Sequence, residues 1–228
     1  MSRQRNLAML LLSSVLLPTA VYTTSSEQLQ LALENVESML DDAEETAREN
    51  AVTYENFLTA APNGCNARLG VDCFHPDDTF STLTQYIMFA QIKNQPAYSY
   101  INLNQQFSET RWGFAGWAQD LSGGRYYFQT NASGDTDCYF PSDPAKPSTL
   151  DLSAPAFGFN YNPANDPYIQ NPVQSDTNES WTSVYAWNIT AADGGWTIDM
   201  FASYGVYNEA TSSVTSVDVD VKTVDAYI

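Results

Sequence analysis

The sequence predicts an α+β fold in which one antiparallel sheet is covered on one face by a long N-terminal helix. Three observations carry that expectation. Apolar residues recur at spacings of three and four from Ser25 to about Ala60. From Tyr98 onward the period changes to two, and glycine-containing turns separate short aromatic and β-branched runs. No internal repeat and no flexible linker interrupts the chain, so a single folded domain is expected.

The first element to justify is the N-terminus. Arg3 and Arg5 precede an uncharged stretch from Asn6 to Ser26 that contains LAMLLLSSVLLPTAVY. A basic flank, an apolar run and a polar exit describe a secretory signal or an uncleaved anchor. No A-x-A cleavage site follows, which favours the anchor. Residues 1–26 are therefore expected to lie at a membrane, with contact through residues 6–26, and residues 27–228 outside the cytosol. Three N-x-S/T sequons, at Asn131, Asn178 and Asn188, agree with export as glycan sites.

In the long helix, residues 27–60, the seam comprises Leu29, Leu33, Val36, Leu40, Ala43, Ala47, Tyr54 and Phe57. Glu34, Asp41, Asp42, Glu45 and Glu49 fall opposite. Such a seam either packs on its own sheet or pairs with a second copy, giving a homodimer through the stalk. Pro62-Asn63-Gly64 ends the helix. Cys65 and Cys73 then bracket a short polar loop, and in an exported chain they are expected to form a disulfide. A zinc site would have to combine these cysteines with His75, with no CxxC pair, and is not expected. A shorter helix is expected over Phe80–Lys93.

The sheet, residues 98–221, is expected to hold five or six strands. Tyr98–Leu103 is the first, and Trp112–Trp117 and Arg125–Thr130 form a hairpin around Gly123-Gly124. A long Pro-, Asp- and Ser-rich loop runs from Ser133 to about Pro155, a length that suggests a binding loop. Val184–Ile189, Trp196–Tyr204 and Ser213–Val221 complete the set. In the last, Val217, Val219 and Val221 share one face, while Asp218 and Asp220 point to solvent or a pocket.

Charge and motifs narrow the function. Acids outnumber bases 27 to 9, for a net charge of −18, so nothing supplies the basic patch a nucleic-acid partner needs. The chain has no P-loop, no G-x-G-x-x-G and no G-x-S-x-G elbow near its only histidine. Neither an enzyme nor a cofactor is expected.

The most informative segment runs from Phe157 to the C-terminus. FGFNYNPANDPYIQNPVQSDTNESWTSVYAWN leads into GGWTIDMFASYGVY and SSVTSVDVDVKTVDAYI. This resembles the Cache family, the PAS-like extracellular sensors of chemoreceptors, histidine kinases and nucleotide cyclases. In that family a strand leads into a Y-D-P-x-x-R-x-W-Y loop, followed by a Trp/Tyr segment, two strands and a final G-V-x-G-V-D strand. Tyr161-Asn162-Pro163 matches the start of the loop, Trp181 and Tyr185 the aromatic segment, and Val214, Val217 and Asp218 the last strand. The resemblance implies a PAS-like sheet, ligand-binding residues Tyr161, Asp166, Tyr168, Trp181, Tyr185 and Asp218, and a sensing part read without its output module. It also implies closure of the 133–182 loops over the ligand.

The departures from the pattern bear on the ligand. Asp166 stands where the family's loop has the arginine that clamps a ligand carboxylate, and Tyr168-Ile169 stands for its Trp-Tyr. Ser213 and Ser216 replace the glycines of the final strand. Two acids beside aromatic faces suit an amine, a cation or a neutral polar molecule better than a simple carboxylate. Each residue also has an ordinary structural reading: Trp181 and Tyr185 as core, Asp218 as a solvated strand residue, Asp166 as a turn cap. Two rival functions stay open. A secreted β-rich module for carbohydrate would show an exposed aromatic stripe, and a secreted hydrolase would show acids of raised pKa in a cleft.

Overall fold

The computed structural model describes residues 26–60, 100–119, 125–130, 134–143, 150–151, 153–190 and 196–221. The apolar N-terminal run, Cys65, Cys73, His75, the helix expected over 80–93 and the Asn131 sequon lie outside the described residues. No described helix is long and apolar enough to cross a membrane.

Helix α1, Ser26–Ala60, spans 35 residues. Its buried stripe contains the expected Leu33, Val36, Leu40, Ala43, Ala47 and Tyr54, widened by Ala32, Met39, Thr46, Asn50 and Ala51. Leu29 is 43% exposed, because burial begins only at Ala32, where the helix meets the sheet. The acids Glu34, Asp41, Asp42, Glu45 and Glu49 face solvent.

Among the described residues the sheet has nine antiparallel strands, three or four more than expected. They are β1 Tyr100–Ser108, β2 Arg111–Gln119, β3 Arg125–Thr130, β4 Thr136–Tyr139, β5 Phe157–Phe159, β6 Glu179–Trp181, β7 Tyr185–Thr190, β8 Trp196–Asn208 and β9 Ser213–Asp220. Their order is β5-β4-β3-β2-β1-β9-β8-β6, with β7 also pairing β8. The strands β1 and β9 are neighbours in the middle of this open sheet. The β2–β3 hairpin forms as expected.

Strand alternation gives the two faces different chemistry. On one face Ile101, Leu103, Ala115, Trp117, Tyr127, Tyr139, Tyr204, Val217 and Val219 form one cluster with the α1 stripe. Polar ties to the two central strands help to fix the helix there. The Tyr54 hydroxyl donates to Gln105 Oε1 at 2.8 Å. The Thr215 hydroxyl donates to the Ala47 carbonyl at 2.9 Å. The helix thus covers its own sheet, as predicted for the first of the two uses of its seam.

The other face is covered too, by the segment from Tyr161 to Gln174. All eight residues of β9 are therefore buried, Asp218 and Asp220 included. The solvent-facing alternative for these two acids is corrected by that second layer.

Candidate functional site

The segment covering the second face was expected to be loop and is largely ordered structure. Asn162 Oδ1 accepts from the Ala164 amide and caps a 3-10 turn, Pro163–Asn165. Asp166 then starts helix α2, Pro167–Gln174. Proline at the first position has a suitable φ and lacks only an N–H that the helix does not use. Pro172 lies inside the helix and cannot donate to the Tyr168 carbonyl. That carbonyl lies against Gly205 of β8, where an added Cβ would sit 2.8 Å from it and 2.9 Å from Pro172 Cγ. Gly205→Ala should therefore lift α2 from the sheet and destabilise the protein by about 1–3 kcal/mol, measurable by urea unfolding. Unchanged stability would show that α2 is not seated there.

Beneath α2 the sheet presents small and polar residues at its centre: Gly116, Asn102, Asn104, Ser216, Asp218, Ser203 and Gly205. An added Cβ on Gly116 would strike Asn102 Oδ1. Asn102 Nδ2 donates to Asp218 Oδ2 at 3.1 Å, and Asn104 Nδ2 donates to the Val214 carbonyl at 3.1 Å. These bonds fix the orientation of both amides. Asn102 Oδ1, Asn104 Oδ1, Ser216 Oγ and Asp218 Oδ1 are buried and make no hydrogen bond. Three of these four are acceptor-only oxygens when Asp218 is ionised, and each such group costs about 1–3 kcal/mol when left unmade.

The wall of the site comes from the covering segment and β7. The Tyr161 hydroxyl donates to Asp166 Oδ2 and lies 2.7 Å from the Tyr168 hydroxyl. The Tyr185 hydroxyl lies 2.7 Å from Ser203 Oγ, and Ser203 is directly opposite Asp218 in the β8–β9 register. Tyr161, Asp166, Tyr168, Tyr185 and Asp218 are thus brought together.

The electrostatics follow from that enclosure. Burial pushes Asp218 up to about 7, helped by the Asp166 charge and opposed by Ser203 and Asn102. Burial also raises Asp166, against the hydrogen bond from Tyr161. The three phenols are pushed well above their ordinary 10, first by burial and then by neighbouring phenols and carboxylates. Among the described side chains the one guanidinium is Arg48, on the helix-covered face; the side chains of Arg111 and Arg125 lie outside the description. No group of metal-ligating side chains occurs among the described residues.

Trp181 does not join the site. It lies opposite Tyr204 across β6 and β8, on the face covered by α1, and its Nε1 donates to Glu44 Oε1 at 2.7 Å. The alternation of a three-residue strand decides this. Arg48 stacks over the Tyr204 ring at 5.2 Å and binds both Glu44 and Glu179. The Glu179 hydrogen bond raises the Arg48 pKa further. Glu179 is lowered, the bonds from Arg48 and Tyr204 outweighing its burial.

Sequence reasoning missed Asn102, Asn104, Ser203 and Ser216. Their one signal is the interruption of apolar alternation by Asn, Ser and Asp at period two in adjacent strands. Beside them runs an aromatic row. Phe114 meets Tyr161 edge to face at 5.4 Å, and Phe128 continues to Phe159 at 6.1 Å. The row ends at Phe140, which is 39% exposed. Its ring pairs are mixed, from the stacked Phe157–Phe159 pair at 30° to the edge-to-face Tyr126–Phe128 pair at 89°. Cys138, buried among them, is a free thiol pushed up to about 12 by burial. Asn178 adopts a positive φ of 59° in a turn, and its amide donates to Glu209. Asn188 lies on β7.

Comparison with protein-family models gave no match, and comparison with curated proteins gave none either.

Proposed function

We propose that this chain is the extracellular or periplasmic small-ligand sensing domain of a membrane signalling receptor of the Cache type. Its ligand would be a small amine, cation or hydrogen-bond-donating neutral molecule. The receptor part of this reading rests on the resemblance of residues 157–228, the basic-flanked apolar run at 6–26, and a long helix lying across an antiparallel sheet. The ligand class rests on one observation: Asn102, Asn104 and Asp218 each hold a buried, unbonded oxygen, and they share the sheet face walled by Tyr161, Tyr168 and Tyr185. Acceptors of this kind are satisfied by N–H donors, and aromatic faces beside carboxylates add cation–π attraction. A carboxylate ligand would meet repulsion from Asp166 and Asp218.

The test is thermal unfolding of the full chain in detergent with matched pairs, for example butylammonium and butyrate. Ammonium compounds are expected to raise the Tm, by about 2.7 kcal/mol in stability at a hundredfold excess over Kd. Stabilisation by carboxylates alone, surviving Asp166→Ala and Asp218→Ala, would overturn the reading.

A second reading has one observation in its favour. Burial raises both Asp166 and Asp218, and the Asp166 charge raises Asp218 further, as in an acid–base pair of a hydrolase. That reading requires turnover of chromogenic glycosides that Asp218→Asn abolishes. The sensing reading requires none.

A further inference from the structure

The helix α1 is tied to the sheet in two different ways. Tyr54 and Ala47 bind Gln105 and Thr215, on the two central strands β1 and β9. Arg48 and Glu44 bind the edge instead. Arg48 Nε donates to Glu179 Oε2 at 3.0 Å, one Arg48 terminal nitrogen donates to the Tyr204 hydroxyl at 2.6 Å, and Trp181 Nε1 donates to Glu44 Oε1. The Tyr204 hydroxyl in turn donates to Glu179. Glu179 and Trp181 belong to β6, an edge strand of three residues.

The chain entering β6 is the segment that covers the polar site, and hydrogen bonds link it from Asp166 to Trp181. Asp166 is held by Tyr161, and Tyr161 touches the Tyr168 hydroxyl. Tyr168 sits in the first turn of α2, whose Asn171 amide reaches the Trp181 carbonyl at 3.5 Å. Trp181 then grips Glu44, one helical turn from Arg48. The same short excursion therefore touches the acids on one face of the sheet and the helix on the other.

We propose that this excursion is a mechanical link: a change at Asp166 and Tyr168 is passed through α2 and β6 to α1 at the Arg48–Glu44–Glu179–Trp181 brace. Its use as a signal output rests on the cluster being a ligand site, but the link itself does not. If the brace only held the helix down, losing Arg48 would loosen α1 locally and leave any effect of the site variant intact. In a link, losing Arg48 cuts the effect off. Additivity is the expectation for groups on opposite faces that share no partner, so its failure is diagnostic.

The experiment is hydrogen exchange by mass spectrometry on the full chain, read at residues 44–52, for the wild type, Asp166→Asn, Arg48→Gln and the double variant. Asp166→Asn is expected to change exchange at 44–52 several-fold, and the change is expected to vanish in the Arg48→Gln background. Unchanged exchange at 44–52 in Asp166→Asn overturns the link, as does a change that persists without Arg48. If Arg48→Gln does not fold, Glu179→Gln removes the same ion pair. Adding butylammonium to the wild type separates the two ideas. A response to Asp166→Asn with none to butylammonium keeps the link and removes the ligand reading.

Discussion

Asp218→Asn is expected to stabilise the protein above pH 7, by up to about 4 kcal/mol, and to leave it nearly unchanged at pH 4. The sign follows from a carboxyl whose value rises from 3.8 to about 7 on folding. Below 3.8 both states carry the proton and the group contributes nothing to the difference. Between the two values the unfolded chain ionises first, so stability falls as pH rises. Above about 7 the folded protein carries a buried carboxylate with one oxygen unbonded, and the full penalty applies. Asparagine keeps the acceptor for Asn102 Nδ2 and has no charge to bury. Asp166, also raised, acts in the same direction and keeps some slope in the variant. Urea unfolding at pH 4, 6 and 8 measures this. Equal loss at every pH would show that Asp218 is a structural anchor and not a strained acid. A residue that weakens its own fold at neutral pH fits a site kept for binding.

Leu40→Ala is expected to cost about 2–5 kcal/mol. Leu40 is fully buried midway along α1, among Val36, Ala43 and the sheet residues Val217 and Val219. The loss should not depend on protein concentration, because the seam packs on its own sheet. Chemical unfolding at two widely separated concentrations checks both points. A cost that appears only in dilute protein would place Leu40 in a dimer interface instead.

How much was legible in the sequence depends on the length of each pattern. The thirty-five residues of α1 repeat their spacing many times, so its extent and its covered face could be read, apart from Leu29, which is exposed, and Phe57, whose side chain lies outside the description. The β2–β3 hairpin and β7, β8 and β9 each show alternation beside a turn. The strands β4, β5 and β6 are three or four residues long and carry at most two periods. The prolines of α2 read as loop, although Pro167 starts the helix and Pro172 only removes one bond.

The site divides in the same way. Tyr161, Asp166, Tyr168, Tyr185 and Asp218 were named from the family pattern, and the structure groups them. Trp181 was placed by the same pattern, but the face of a three-residue edge strand depends on its register against β8, which sequence does not carry. Asn102, Asn104 and Ser216 come together only because β1 and β9, far apart in the chain, pair in the middle of the sheet.

The most direct measurement is a calorimetric titration of the best stabilising ammonium compound at pH 5 and pH 8, in wild type and Asp218→Asn. With Asp218 titrating near 7, a cation competes with its proton at pH 5 and not at pH 8. Affinity is expected to be at least about tenfold tighter at pH 8, with proton release between those limits, and to collapse in Asp218→Asn. Equal affinity at both pH values, retained in Asp218→Asn, would contradict the assignment of this buried cluster as the ligand site.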